Sequence, residues 1–555
     1  MVFGLFLTVA SCAGDTGEKP VGELVAQETP TSTIEEVTPT PPPAPTPETP
    51  PQPTPAEQKC EASSVSDETG TEFQKGSKGV GDPYFPGLGN GGYDVNHYLI
   101  DVTWQPSNGF LSGWTTIEAK TTENLSSFNV DLNANMIVTE VIVNGEEACF
   151  IREGNEVTVV PATNLPVGSE FEARFRYAGL PGLVPAEYAP VGAGGWYHEP
   201  FKLEGGSYSQ TNIMFVVGEP SSSMAWHPVN DHPRDRAQFR IEMTVDNGRY
   251  HAAFVDWEFV TNGFLVSKDE TTNAQDFPVT TWIYETRYPQ APYLTVLAYG
   301  RFIASDEEDL GDVTLQHWVD LSQYSYAGTD AFTILREGRG VDYGLMFEAF
   351  TDLFGPYPYG TYGYLALNLN AFRFALETQT LSIFMNLNTW QEPYIHVHEL
   401  AHQWFGNYIT VDNWSEIWLN EGFATYSEYL YEEAVTPGYD IYYNMRLLDA
   451  QVGPQLMEGA VMPGDPGPED LFAPTVYYRG ALTLHALRMT IGDDAFFASV
   501  RKYVDNFGGK SVTTADFVQV VESVSGADLE DFFDSWLYGT PKPDLPCEGY
   551  SPCVQ

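Results

Sequence analysis

Basic residues are scarce in this chain of 555 residues. It holds 26 Lys and Arg against 76 Asp and Glu, so its net charge is −50 at pH 7 and its sequence pI is near 4.2. Nucleic-acid backbones are bound through clustered Lys and Arg, which displace counterions from the phosphates. A nucleic-acid partner is therefore not expected, and anionic lipid headgroups would repel the same charge.

The N-terminus has a short apolar run but no long one. The run covers residues 2–10, which is too short to cross a bilayer as a helix but fits the apolar part of a signal peptide. It ends in Val9-Ala10-Ser11-Cys12, which resembles a bacterial lipobox, where small residues precede a lipidated cysteine. A signal peptide normally begins with Lys or Arg, but the first basic residue here is Lys19. We therefore expect the given start to lie inside a longer signal peptide. We expect a signal peptide over residues 1–12 and an exported, cell-surface protein anchored to the membrane through a lipid on Cys12; the alternative is an apolar start with an accidental cysteine.

Cysteine is also rare, with five in the whole chain. Lipidation of Cys12 would leave four, an even number that permits two disulfides in an oxidising compartment. Cys547 and Cys553 lie close together in a Pro-rich tail, so they would most economically pair with each other. Cys60 would then pair with Cys149.

Proline, threonine and glutamate dominate residues 28–58, where runs such as Pro41-Pro42-Pro43 favour extended polyproline II and cannot build a core. We expect a disordered spacer over residues 13–80 that holds a folded body away from the membrane. The rest of the chain can form such a body, since 43% of all residues are hydrophobic and 14% are aromatic.

The body divides into two halves by the period of its apolar residues. Short alternating segments at residues 98–104, 138–143 and 239–245 predict antiparallel strands. After about residue 306 the period becomes helical, with helices expected at residues 330–354, 394–405, 415–434, 476–491, 493–507 and 514–523. We therefore predict an α+β fold, with an antiparallel β-sheet domain (saddle or sandwich) over residues 81–304, a mainly helical catalytic domain over residues 305–543 and a Cys/Pro-rich tail over residues 544–555.

The segment His398-Glu399-Leu400-Ala401-His402 carries the clearest chemistry. Residues 394–405 contain neither Pro nor Gly and are predicted to be one helix. Residues four apart share a helix face, so His398 and His402 can bind one metal ion while Glu399 reaches a water on it. His396 is turned about 200° away from His398 and is a poor ligand candidate. A solvated helix face is the alternative for an isolated motif.

Catalytic zinc takes three protein ligands and keeps one open position, so a third ligand is required. Glu421 follows His402 after eighteen residues, on a second predicted helix that begins behind Asn413. Asn413 and Glu416 have the spacing of a capping box. A helix, a short loop and a returning helix would bring Glu421 to the two histidines. We expect one Zn²⁺ per chain on His398, His402 and Glu421.

Two segments resemble the aminopeptidase N family of gluzincin zinc peptidases: HELAHQWFGN at residues 398–407 and WLNEGFA at residues 418–424. The resemblance covers about residues 80–555 and implies a β-sheet domain followed by a thermolysin-like catalytic domain. Larger family members continue into a small sandwich and a helical domain that covers the cleft. Here a Pro-rich tail follows soon after the last predicted helix, so we expect a short, two-domain lipoprotein form.

The family's exopeptidase signature, Gly-x-Met-Glu-Asn, falls on residues 374–378, where the sequence is Phe-Ala-Leu-Glu-Thr. The resemblance implies that Glu377 binds the free α-amine of the substrate, that Glu219 supplies a second carboxylate and that Ala375 contacts the substrate. A carboxylate placed there selects an ammonium group, which favours an aminopeptidase over an endopeptidase. The alternatives are a strand-end acid for Glu377 and an ordinary turn acid before proline for Glu219.

Tyr477-Tyr478-Arg479-Gly480 opens a further predicted helix and resembles the family's Tyr-x-Lys/Arg-Gly. By that match Tyr477, rather than Tyr478, donates a hydrogen bond to the oxyanion of the tetrahedral intermediate. A core-filling role is the alternative, since the chain has 32 tyrosines.

The expected activity is hydrolysis of the first peptide bond of peptides with a free N-terminus. Zinc would activate a water molecule and polarise the carbonyl, while Glu399 takes the proton and passes it to the leaving amine. Two alternatives remain, an epoxide hydrolase on the same scaffold, as in the leukotriene-hydrolysing relative, and a surface-binding lipoprotein with a silent site. A binding protein with a silent site would be expected to lack at least one of the five expected site residues. All five are present: His398, Glu399, His402, Glu421 and Tyr477.

Overall fold

The computed structural model describes residues 60, 65–66, 70–185, 194–198, 213–247, 257–321, 325–326, 329–369, 372–452 and 461–546. The expected signal peptide, the lipid-anchor residue Cys12 and most of the spacer lie outside these residues. So do Cys547 and Cys553. The Sγ atoms of Cys60 and Cys149 are bonded to each other, with their Cα atoms 5.9 Å apart. In the part of the chain that is described, no helix combines the length and apolarity needed to cross a membrane.

Strands dominate the first half of the described chain. They are β1 (Val65–Ser66), β2 (Glu72–Lys75), β3 (Tyr93–Gln105), β4 (Phe110–Thr121), β5 (Leu125–Asp131), β6 (Met136–Val143), β7 (Glu146–Glu147), β8 (Cys149–Glu153), β9 (Glu156–Val160), β10 (Glu170–Gly179), β11 (Gly195–His198), β12 (Met214–Val217), β13 (Gln238–Asp246), β14 (Glu258–Thr261), β15 (Phe264–Thr272), β16 (Pro278–Glu285) and β17 (Leu297–Gly300). The strands predicted at residues 98–104, 138–143 and 239–245 lie within β3, β6 and β13.

These strands form three sheets. The largest has the order β15-β16-β13-β3-β4-β10-β6-β7, with β13 parallel to β3 and the other neighbours antiparallel. Its strands bury alternate side chains, as in β10, because successive residues point to opposite faces. The sheet β1-β2-β5-β9-β8 is joined to it by aromatic contacts such as Tyr93 against Phe128, with ring centroids 5.8 Å apart. The third sheet, β11-β12-β17-β14, leads from β12 into the segment that carries Glu219.

The second half contains short strands that the helical pattern did not predict. They are β18 (Phe302–Ala304), β19 (Glu308–Leu310), β20 (Val313–Leu315), β21 (Trp318–Asp320), β22 (Ser325–Tyr326), β23 (Thr329–Asp330), β24 (Thr361–Ala366), β25 (Ala375–Leu376), β26 (Leu381–Phe384), β27 (Thr410–Val411) and β28 (Ser511–Val512). Strand β24 is parallel to β26, which is antiparallel to β25. These three strands are buried almost throughout, so they lack the alternation by which a half-exposed strand is recognised.

Helices supply the rest of this half. They are α1 (Ala331–Thr333), α2 (Tyr343–Phe354), α3 (Leu387–Trp390), α4 (Pro393–Ala401), α5 (Trp418–Val435), α6 (Ile441–Val452), α7 (Pro474–Ile491), α8 (Asp493–Phe507), α9 (Thr514–Ser525) and α10 (Glu530–Phe533). With sheets first and helices later, the predicted α+β fold is confirmed.

Two local predictions were wrong. The helix expected at residues 330–354 is broken, because Gly340 adopts a φ of +75° and α2 begins afresh behind Asp342, whose side chain accepts from the Leu345 amide. The capping box of Asn413 and Glu416 is not formed. The Glu416 carboxylate instead accepts from the backbone amide of Thr514, 2.9 Å away, at the start of α9, where helix N–H groups lack partners within the helix.

Candidate active site

Helix α4 brings His398 and Glu399 into the interior of the protein. Pro393 begins the helix, where a missing N–H costs nothing, and seven successive residues from Ile395 to Ala401 are buried. His402 follows directly, with its amide bonded to the His398 carbonyl at 3.2 Å. The motif is therefore not a solvated helix face.

Helix α5 brings Glu421 to the two histidines. The Nε2 atom of His398 is 3.3 Å from Glu421 Oε2, and the Nε2 atom of His402 is 3.4 Å from the same oxygen. One ligand atom from each of the three residues lies within 4.8 Å of the other two. All three side chains are buried. The helix, loop and returning helix expected from the sequence thus bring the three residues together.

The other nitrogen of each ring has its own partner. His398 Nδ1 is 2.9 Å from Glu428 Oε1, and His402 Nδ1 is 3.0 Å from the carbonyl oxygen of Phe405. Such contacts fix the ring orientation and leave Nε2 free to bind a metal. The sequence motifs did not indicate Glu428. Its position seven residues after Glu421, two turns along the same helix face, is the signal that could have found it.

The charges and donor atoms of this cluster suit a divalent cation. Burial by itself lowers the pKa of His398, but hydrogen bonds to Glu421 and Glu428 outweigh it and raise the value to about 10. Glu421 Oε1 is buried and has no hydrogen-bond partner among the described residues. Two imidazole nitrogens and one carboxylate oxygen are the donor set of catalytic zinc sites, so the residues present fit zinc.

Glu399 lies beside this cluster and is positioned to act as a base. Its side chain is 1% exposed, and Oε2 has no hydrogen-bond partner among the residues described. Burial raises its pKa to about 7, with the nearby histidines opposing the rise. A carboxylate with a pKa near neutrality can both accept and return a proton.

Glu377 lies in the same buried region, because one of its carboxylate oxygens is within 4.8 Å of ligand atoms of Glu399 and His402, and its charge acts on the buried Glu219. The backbone carbonyl of Glu377 accepts hydrogen bonds from Gln403 Nε2 at 3.0 Å and Asn407 Nδ2 at 2.6 Å, so the residues next to the metal-binding motif hold this segment. Burial raises the pKa of Glu219 well above its ordinary value, and the charge of Glu377 adds to the rise. Each carboxylate has an Oε1 atom that is buried and unpartnered within the described chain. The two buried carboxyl groups therefore form an acidic pair that can accept a cationic group.

Phe374 and Ala375, which precede Glu377 in the same motif, are both buried. Ala375 lies on β25, opposite Phe384 of β26, and is 1% exposed. Phe374, which replaces the family's glycine, packs in an apolar cluster with its ring edge against Phe372, the centroids being 5.9 Å apart. The additional side chain is thus accommodated by core packing.

Helix α7 places the ring of Tyr477 over that of His398. Its ring is nearly parallel to that of His398, at 22° with centroids 6.1 Å apart. Arg479 points elsewhere and donates to the backbone carbonyls of Trp536 at 2.7 Å and Gly539 at 2.6 Å. In the Tyr-x-Arg-Gly motif, the tyrosine therefore belongs to the site, and the arginine stabilises the backbone at residues 536–539.

Gly480 allows α7 to pack closely against α5, the helix that carries Glu421. A Cβ atom built on Gly480 would lie 2.8 Å from the Cα of Gly422, the residue after Glu421. The two helices thus cross backbone to backbone, which only glycine permits. Because Tyr477 and Glu421 lie next to this crossing, it sets the distance between them.

Comparison with known proteins agrees with this geometry. The peptidase family M1 domain is matched by residues 346–536. The crystal structure of an M1 zinc metallopeptidase from Deinococcus radiodurans is 30% identical, with a TM-score of 0.72 over 85% of this chain and 100% of that one. A mutant of that metallopeptidase, bound to Tyr-Ser-Ala, is 29% identical, with a TM-score of 0.69 over 84% of this chain and 99% of that one.

Curated relatives are longer. Aminopeptidase N of Lactococcus lactis subsp. lactis is 32% identical over 156 residues, which are 26% of this chain and 18% of that protein. The chain spans less than half the length of the first curated relatives that it matches. The D. radiodurans structure, by contrast, is covered from end to end at 30% identity. The chain therefore belongs to the M1 family of zinc metallopeptidases.

Proposed function

We propose that this protein is a zinc-dependent aminopeptidase that removes the N-terminal residue of peptides. The observation that carries the proposal is the position of two buried carboxylates, Glu219 and Glu377, beside the cluster of His398, His402 and Glu421. A carboxylate pair at that position selects a substrate by its free ammonium group. A mutant of the D. radiodurans relative binds the peptide Tyr-Ser-Ala, and peptides are the substrate class that we propose here.

In this proposal His398, His402 and Glu421 hold one zinc ion per chain. When bound, zinc supplies Lewis acidity, which lowers the pKa of a water molecule and polarises the scissile carbonyl. Glu399 accepts the proton of the attacking water and returns it to the leaving amine, as its pKa near 7 allows. The Tyr477 hydroxyl donates to the oxyanion, and Glu377 with Glu219 holds the substrate ammonium. Ala375 contacts the substrate from β25.

A comparison of substrates tests the proposal directly. The zinc-loaded protein should hydrolyse aminoacyl arylamides and should not hydrolyse the same compounds after N-acetylation. Glu377→Ala should lower kcat/KM for the free substrates by at least roughly a hundredfold, because the loss of an ion pair to a buried ammonium removes several kcal/mol. Its zinc content should stay at one ion per chain. Equal cleavage of free and acetylated substrates by the wild type would refute the assignment.

Glu399→Gln provides the complementary variant. The amide cannot accept a proton, so turnover should fall by roughly 10²–10⁴-fold while zinc remains bound. Zinc-loaded Glu399→Gln protein with normal turnover would remove Glu399 from the role of general base. The same assays decide the alternatives, since a silent binding protein would hydrolyse nothing and an epoxide hydrolase would require an epoxide substrate.

We further propose that the protein is exported and held at the cell surface by a lipid on Cys12, with the Pro-rich spacer between anchor and enzyme. The lipobox-like Val9-Ala10-Ser11-Cys12 supports this proposal. Expression with Cys12→Ser in a bacterial host should release active enzyme from the membrane fraction. Equal membrane association of both forms would contradict it.

Mass spectrometry without reduction would test the proposed disulfides, Cys60–Cys149 and Cys547–Cys553.

A further inference from the structure

The three-residue turn Pro292–Leu294 lies against the segment that carries Glu219. A Cβ atom built on Gly218 would lie 2.2 Å from the carbonyl oxygen of Tyr293, so the two backbones are in direct contact. Ser223, further along the same segment, donates its hydroxyl proton to the Pro292 carbonyl at 2.8 Å. The position of Tyr293 relative to Glu219 is therefore fixed by backbone contacts.

The same turn is bonded to the segment that carries Glu377. The amide of Gln379 donates to the carbonyl of Leu294 at 3.3 Å. Asn262 Nδ2 donates both to that carbonyl, at 2.9 Å, and to the carbonyl of Gln379, at 2.6 Å. The turn thus connects the two segments that carry the acid pair, and Tyr293 lies between them.

The side chain of Tyr293 contacts the turn that precedes α5. Its ring packs edge to face against Trp414, with centroids 5.2 Å apart, in the turn that precedes α5. The side chain is 2% exposed, and its hydroxyl has no hydrogen-bond partner among the described residues. Burial raises the pKa of Tyr293 well above its ordinary value, and the charges of Glu377 and Glu219 raise it further. A buried hydroxyl without a hydrogen-bond partner among the described residues therefore belongs to the turn that contacts both acid-bearing segments.

A primary ammonium group needs three acceptors, because its three N–H bonds diverge. The segments that carry Glu219 and Glu377 both contact this turn, and the hydroxyl of Tyr293 offers a third oxygen beside the two carboxylates. We propose that Tyr293 is a substrate-binding residue whose hydroxyl oxygen accepts a hydrogen bond from the N-terminal ammonium beside Glu219 and Glu377. This inference rests on the proposed aminopeptidase function, and it assigns to that site a residue that the sequence motifs did not indicate.

The variant Tyr293→Phe tests the inference on zinc-loaded protein. The hydroxyl has no hydrogen-bond partner among the described residues, so its removal breaks none of the hydrogen bonds seen there, and the variant should keep the wild-type Tm and zinc content. Calorimetry should compare L-tryptophan with indole-3-propionate, which has the same ring but no amine. The variant should bind L-tryptophan roughly tenfold or more weakly and bind indole-3-propionate as the wild type does. With aminoacyl arylamides, KM should rise more than kcat falls.

Tyr177→Phe is the matched control. Tyr177 is also a buried tyrosine, but its hydroxyl lies 3.0 Å from Thr115 Oγ1 within the large sheet, so both ligands should bind as in the wild type. Equal weakening of both ligands by Tyr293→Phe, or no change in either, would overturn the role of Tyr293. Wild-type protein that prefers L-tryptophan to its desamino analogue but hydrolyses no arylamide would instead refute the aminopeptidase activity. Wild-type protein without that preference would refute the ammonium site as a whole.

Discussion

At the residue scale, the groups that contact His398 and His402 are as important for the proposed zinc site as the two histidines themselves. His398 contacts Glu421 through Nε2 and Glu428 through Nδ1, so a single imidazole is held between two carboxylates of the same helix. A carboxylate at this position increases the basicity of the ring and fixes its orientation. Its contribution should therefore appear in metal affinity rather than in substrate selection.

Glu428→Gln should weaken zinc binding by roughly 10–100-fold, because a neutral amide is a weaker partner for the Nδ1 proton. Competition with a chelator measures this change, and KM at saturating zinc should stay close to that of the wild type. Glu432→Gln is the control, since Glu432 lies one turn further along α5, is exposed and accepts from the Thr436 hydroxyl at 2.7 Å. Zinc affinity that is equal in all three proteins would show that Glu428 does not support the metal.

At the element scale, the site depends on the crossing of α5 and α7. Glu421 and Gly422 lie on one helix, Tyr477 and Gly480 on the other, and the two glycines meet. A small change in the distance between the helices therefore moves an expected metal ligand relative to the expected oxyanion donor. A misplacement of about 1 Å can cost roughly a hundredfold in rate.

Gly480→Ala should disturb both stability and catalysis. The new methyl group would lie 2.8 Å from the Gly422 Cα, and relieving this contact should cost about 1–3 kcal/mol of unfolding free energy. Turnover should fall further than this loss of stability explains, because the helices must separate. Thermal unfolding and kcat measure the two effects.

Gly338→Ala is the control for that substitution. A Cβ atom at Gly338 would meet only Ile334 Cγ2, at 3.9 Å, so the variant should keep wild-type turnover. If Gly480→Ala were as active as Gly338→Ala, the close crossing would not determine the geometry of the site.

At the scale of the whole molecule, the net charge of −50 should influence how substrates arrive. Peptide N-termini are cationic, and a strongly acidic protein raises their local concentration and their association rate. Salt screens this attraction over distances longer than about 10 Å at 0.1 M. Many of the other acidic side chains face solvent and have no part in binding the substrate.

Accordingly, kcat/KM for aminoacyl arylamides should fall severalfold as NaCl rises from about 0.05 to 0.5 M, while kcat changes little. A substrate with an aspartyl or glutamyl first residue serves as the comparison, because its side-chain carboxylate cancels the ammonium charge, and its kcat/KM should fall less. The same salt dependence for both substrates would exclude steering of the cationic end.

Much of the site could be predicted from the sequence because its residues lie on two helices close together in the chain. Helical periodicity places His398 and His402 on one face, and a short connection returns Glu421 to them. The sequence could not place β24 and β26, because fully buried strands have no alternating pattern. It also misjudged Glu416, which bonds to Thr514 across the fold rather than to its own helix start.

The sequence by itself thus determined the metal-binding motif, the family resemblance and the succession of sheets and helices, since all of these depend on local spacing. Tertiary structure alone decided which distant groups meet. It packs the Tyr293 turn against the segments of Glu219 and Glu377, Glu428 against His398 and Gly480 against Gly422. The physical reason is that burial of these side chains, and the backbone contacts that fix them, arise only when segments far apart in the chain pack together.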